Sequence, residues 1–183
     1  MALMRNLARL FAPPAQNPAV AALYAACVTQ ARAPEFYRVL GVPDTVDGRF
    51  DNLVLHVVLV MRRLGGEEEL KQQLFDLMFA DMDQSLREMG VGDMGIGKRI
   101  KPMIAAFYGR MQAYDSALTN ADEALANALS RNLYGKATPS SDALRGMTEY
   151  VRRAAAALGA QPQSDILDGN VKFSSPLLGE EKN

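Results

Sequence analysis

The chain has 183 residues, 22% of them charged, and a formal net charge of -1. That length supports one well-buried core. So balanced a charge offers no broad basic field for nucleic acid, and DNA is not an expected partner. Cys27 is the sole cysteine and His56 the sole histidine. An internal disulfide and a thiolate metal cluster are excluded, and a histidine-based hydrolase would have to run through one residue flanked by Leu55 and Val57.

The opening string MALMRNLARLF sets Leu3, Leu7, Leu10 and Phe11 near helical spacing with Arg5 and Arg9 between them. It lacks the long apolar stretch and cleavage site of a secretory signal. Two readings of residues 1–17 fit: a start docked on the core, or a short amphipathic foot on an anionic membrane. Pro13, Pro14 and Pro18 push their predecessors out of helical geometry, so the domain proper spans 18–160.

An Ala-rich helix is expected up to Ala31, followed by a second that opens on Pro34 and stops at Gly41. Asp44 or Thr45 can cap the next helix, whose Phe50, Leu53, Val54, Val57, Val58, Met61 and Leu64 keep a three-and-four spacing until Gly65 and Gly66. The valine run competes as a strand, but the period persists over about four turns. Arg62 and Arg63 complement the negative end of the helix dipole. Glu67, Glu68 and Glu69 start the return helix, with Glu67 placed to pair with Lys71 and Asp83 with Arg87. Its buried side reads Leu70, Leu74, Leu77, Met78, Met82, Leu86 and Met89 before Gly90.

Ile100, Met103, Ile104, Phe107, Tyr108 and Met111 restore a helical face, and Pro102 fits a helix only in its first turn. These constraints place a loop over residues 90–101, long enough to suggest function. Helices over 122–133 and 142–158 follow, with Gly135 and Gly159 as stops. Residues 161–183 show no sustained period and read as a flexible or externally draped tail. The expected fold is all-α, a single-domain irregular bundle of about six to seven helices with flexible terminal segments. No uninterrupted apolar run approaches the roughly 18 residues that span a bilayer.

Gly92 through Lys98 matches the first seven positions of a phosphate-binding loop, but Arg99 replaces the magnesium-holding hydroxyl and a helix precedes it where a buried strand is required. Nucleotide binding is therefore not expected. Asp81, Asp83, Glu88 and Asp93 read as a solvated helix face or an acidic recognition patch, not as acid and base catalysts. Lys98, Arg99 and Lys101, at a helix start, would oppose the dipole and so suggest an anionic partner: a polypeptide carboxylate, ribosomal RNA or a lipid headgroup. His56 reads as a core residue, and no second metal ligand accompanies it. The ten methionines suit a core, or a surface that receives varied apolar helices.

YRVLGVPDTVDGRFDNLVLHVVLVMRRL followed by FADMDQSLREMGVGDMGIGKRIKPMIAAFYGR resembles the ubiquinol-cytochrome c chaperone family over residues 34–135. DMD, REMGVGD, GKRIK and FYGR are its most specific pieces. The resemblance implies a non-enzymatic assembly factor without cofactor that holds newly made cytochrome b during construction of the bc1 complex. Mitochondrial relatives work beside the ribosome with a small helical partner. For this chain the resemblance implies a cytoplasmic location, peripheral on the inner membrane. Candidate partner-binding residues are Asp81, Asp83, Met89, Asp93, Met94, Lys98, Arg99, Lys101 and Arg110. The competing expectation is a peripheral membrane or haem-handling accessory protein that binds a cofactor.

Overall fold

A computed structural model describes residues 17–177. The expectations for the first sixteen residues and for the last six lie outside the described residues. Eight α-helices run in the order α1 (Pro18–Ala31), α2 (Pro34–Arg38), α3 (Val46–Leu64), α4 (Glu68–Glu88), α5 (Asp93–Leu118), α6 (Asp122–Leu129), α7 (Ser141–Ala160) and α8 (Gln163–Leu167). A π-helical turn, Ser130–Tyr134, follows α6 directly. The all-α expectation holds, with α2 and α8 only five residues each.

α3 is the axle of the bundle. Val54, Leu55, Val57, Val58, Leu59, Val60 and Met61 are all at most 2% exposed, so this helix is buried on every side and not along one stripe. A helix apolar all round is enclosed by its neighbours; α1, α4, α5 and α7 do so here. Thr45 is its cap, its Oγ1 accepting from Gly48 N at 3.1 Å, while Asp44 turns instead to Arg49 at 2.6 Å. Gly48 is required by space, since a Cβ there would lie 2.1 Å from the Pro43 carbonyl oxygen.

A chain of hydrogen bonds in the interior joins α1, α3 and α7. His56 Nδ1 lies 2.7 Å from the Asn52 carbonyl, which can only accept, so this nitrogen carries the proton. Nε2 then accepts from the Tyr150 hydroxyl at 2.8 Å, and that oxygen accepts from Gln30 Nε2 at 3.0 Å. Phe36 packs edge-on against both rings. Burial depresses the imidazole from 6.5 to about 4, so His56 is a neutral core residue, as its apolar setting suggests.

Four local expectations are corrected. Lys71 pairs with Glu68 at 2.9 Å, not with Glu67, which caps α4 through its backbone. Met89 is 51% exposed, because α4 ends at Glu88 and the chain turns away before that side chain reaches the core. Helix α7 runs through Gly159 to Ala160. The largest difference is at α5: the helix begins at Asp93, so only residues 89–92 form the joint, and Pro102 is the tenth residue of the helix. Glycines and an internal proline argue against a helix locally, but continuity with the packed face at Ile100, Met103, Ile104 and Phe107 prevails.

Candidate protein-binding groove

The string from Gly92 to Lys98 is the start of α5 and not a phosphate loop, consistent with the fault at Arg99. Lys98, Arg99 and Lys101 are exposed and lie in the second and third turns of the helix. The opposition to the dipole inferred from a start near residue 101 therefore falls, since that field acts over the first turn. No ion pair or side-chain hydrogen bond engages the three cations among the described residues. Pro102 supplies no N–H to the Lys98 carbonyl, so α5 lacks one rung where its charges cluster.

The other candidates separate into three settings. Asp83 pairs with Arg87 at 2.7 Å, as expected. Arg110 is drawn inward: its Nη2 lies 2.7 Å from Asp51 Oδ1 and its Nε donates to the Asn132 carbonyl at 3.2 Å, so it ties α5 to α3 and the π-helical turn. Burial pushes the Asp51 carboxyl up to about 6 against the pull of Arg110. The side chains of Asp93 and Met94 lie outside the described residues.

Asp81 and Met89 meet in an open groove of about 220 Å³ between the carboxyl end of α1, α2, the start of α3 and the last turns of α4. Its apolar lining includes Val28, Phe50, Leu53 and Met82, with Val46 and Met89 on the lip, 55% and 51% exposed. Asp81 accepts from the Tyr24 hydroxyl at 2.7 Å, and burial with this carboxylate pushes the Tyr24 phenol well above its ordinary range. Arg49 stacks over the Tyr37 ring at 5.5 Å while it pairs with Asp44. Arg32 is exposed on the rim without an ion pair among the described residues.

The groove is thus an apolar trough edged by the exposed Arg32, the Arg49–Asp44 pair and the Asp81 carboxylate, suited to an amphipathic polypeptide segment. Arg32, Tyr37, Val46 and Arg49 are its components that sequence reasoning missed. They arise from three elements, and the only local signal is that Val46 begins α3 off its buried face.

No cluster of three or more histidine, cysteine or acidic residues that could hold a metal occurs among the described residues. Both ring nitrogens of His56 are engaged, so haem ligation through it would require dismantling the interior. No helix among the described residues is long and apolar enough to cross a membrane.

Comparison with known proteins places residues 38–173 within the family described as ubiquinol-cytochrome C chaperone. The chain is 28% identical over 163 residues to ubiquinol-cytochrome-c reductase complex assembly factor 1 of Xenopus laevis, covering 87% of this chain and 82% of that one. It is 29% identical over 166 residues to the Mus musculus protein of the same name, covering 88% of this chain but 55% of that one. It thus spans about half the length of the mouse relative. The crystal structure of the Cbp3 homolog from Brucella abortus superposes with a TM-score of 0.77 at 35% identity, covering 87% of this chain and 90% of that one.

Proposed function

The chain belongs to the ubiquinol-cytochrome C chaperone family, and on that premise we propose that it is an assembly factor for ubiquinol-cytochrome c reductase that holds newly made cytochrome b. The observation that carries the finer reading is the groove at Val46, Met82 and Met89. An emerging membrane helix needs its apolar side chains shielded from water, and a shallow, flexible methionine-lipped trough shields without closing irreversibly. The exposed guanidinium of Arg32 on the rim meets a polar end of such a segment. The work is binding and release, with no chemical step.

The exposed Lys98, Arg99 and Lys101 are assigned to an anionic surface met during that delivery, ribosomal RNA or the membrane face. The chain then acts peripherally, where cytochrome b is made and inserted. Site-specific photo-cross-linking tests the client. A benzophenone side chain at Met89 is expected to capture cytochrome b in cells, and the same group at Arg145, exposed on α7, is not. Equal capture from both positions would remove the groove from the reading.

A further inference from the structure

Beyond α8 the chain runs without helix or strand against α1 and α7, and side chains of those elements hydrogen-bond to its backbone. Gln161 grips one residue of this strap from both sides, Oε1 accepting from Lys172 N at 2.8 Å and Nε2 donating to the Lys172 carbonyl at 2.8 Å, while Nε2 also donates to the Ala157 carbonyl at 3.0 Å. Gln30 Nε2 donates to the Ser174 carbonyl at 2.9 Å, and Arg153 Nη2 to the carbonyls of Ser175 at 3.3 Å and Pro176 at 3.2 Å. Three of its side chains, Val171, Phe173 and Leu177, pack on the core, and the Phe173 ring stands edge-on to His56 with centroids 5.3 Å apart. The Ser174 hydroxyl, in contrast, is buried without a partner, which costs stability. Gly169, at φ +87°, lets the chain reach this surface, since a Cβ there would lie 2.8 Å from the Ala19 carbonyl oxygen.

This seat therefore recognises main-chain atoms that every polypeptide carries, together with apolar side chains, of which the Phe173 ring is the largest. Main-chain donors and acceptors supply affinity without regard to sequence, and the apolar seats supply the preference. The poor fit of Ser174 shows that the strap is not optimised side chain by side chain for its position. What favours it is attachment to the same molecule, which makes its effective concentration high.

We propose that Gln30, Gln161 and Arg153, with the aromatic seat at His56, form a second polypeptide-binding site, for an extended segment of another protein with a bulky apolar residue where Phe173 stands. The strap is its occupant in cis, displaced when such a segment arrives. The site shares no residue with the groove at Met89 and goes beyond the reading given to it. Extended segments between membrane helices are the class of ligand that a helix-holding groove leaves unprotected.

The test uses the full chain and a fluorescent octapeptide of alanine and serine with phenylalanine at its fourth position. Phe173→Ala, checked as folded by circular dichroism, is expected to bind this peptide about ten-fold more tightly than the unmodified chain, because the seat is no longer filled. Gln161→Met added to it should abolish the gain, as should replacement of the peptide's phenylalanine by alanine. If only a peptide copying residues 170–177 binds, the seat is specific for its own tail and the proposal fails. Should Phe173→Ala not fold, hydrogen exchange of the Lys172 amide decides in the unmodified chain: excess phenylalanine peptide must accelerate it, and unchanged exchange overturns the proposal.

Discussion

The interior between α3 and α7 and the amino-terminal half of α5 are both helical, yet opposite rules build them. In the first, His56, Tyr150 and the half-buried Gln30 form a hydrogen-bonded chain packed against the Phe36 and Phe173 rings. In the second, two glycines and Pro102 weaken the backbone while Lys98, Arg99 and Lys101 face water without ion pairs among the described residues. The difference teaches where this molecule places its stability and where it leaves surface available. A buried polar group needs all its partners or it destabilises the fold, whereas an exposed cation is free to serve a partner.

The largest expected effect comes from protonating the interior. His56 is held near 4, against 6.5 when unfolded. Above 6.5 the imidazole is neutral in both states and contributes no pH dependence. As pH falls from 6.5 through 4, the unfolded chain takes up the proton first and the folded state loses roughly 3 kcal/mol at about 1.4 kcal/mol per pH unit. Asp51 works in the other direction: its folded value near 6 means that acidification relieves its burial and offsets part of this loss. Net stability is thus a blurred readout, but the single histidine gives one imidazole signal in proton NMR. It should stay neutral until about pH 4. A midpoint near 6.5 would mean that the chain through Tyr150 is open to water.

A pair of tyrosines breaks the comparison in a second way. Tyr150→Phe strips a donor from His56 and an acceptor from Gln30, and urea unfolding should register a loss of about 2 kcal/mol. Tyr114 is equally buried, but its hydroxyl has no partner. Tyr114→Phe should therefore be neutral or stabilising by about 1 kcal/mol, since it removes an unsatisfied polar atom without orphaning another. Equal losses would show that aromatic shape, not the hydrogen-bonded chain, secures this interior.

The same contrast explains what the sequence disclosed. The α3 helix announced itself through its period, its threonine cap and the paired glycines at its end, and Pro34 and Gly135 marked boundaries that the structure keeps. The start of α5 did not, because Gly95, Gly97 and Pro102 are unfavourable in a helix one by one, and only the packed stretch from Ile100 onward draws them in. The groove was half legible: Asp81 and Met89 lay in a conspicuous string, whereas Arg32, Tyr37 and Val46 join them only through the packing of α1 and α3 against α4, with α2 at the edge. The strap shows no period to read, because side-chain amides from elsewhere satisfy its backbone.

Pro102→Ala sharpens the contrast from the weaker side. Alanine restores the missing donor to the Lys98 carbonyl at an exposed position, so stability should rise by about 1 kcal/mol and amide exchange over residues 93–101 should slow. Unchanged exchange there would mean that the segment is already as firm as the rest of α5.

The smallest effect on the fold should come from reversing Lys98, Arg99 and Lys101 together to glutamate. These side chains are exposed and engage no ion pair among the described residues, and glutamate is a good helix former, so Tm should stay within about 2 °C. Cross-linking of cytochrome b from Met89 should fall, because the introduced carboxylates would repel the anionic surface proposed to receive the client. The two readouts divide the explanations. A large drop in Tm would give these cations a structural role like that of Arg110 with Asp51, while unchanged capture would separate the groove from the charges beside it. Loss of capture in a chain of unchanged stability is the combination that a surface kept free for a partner requires.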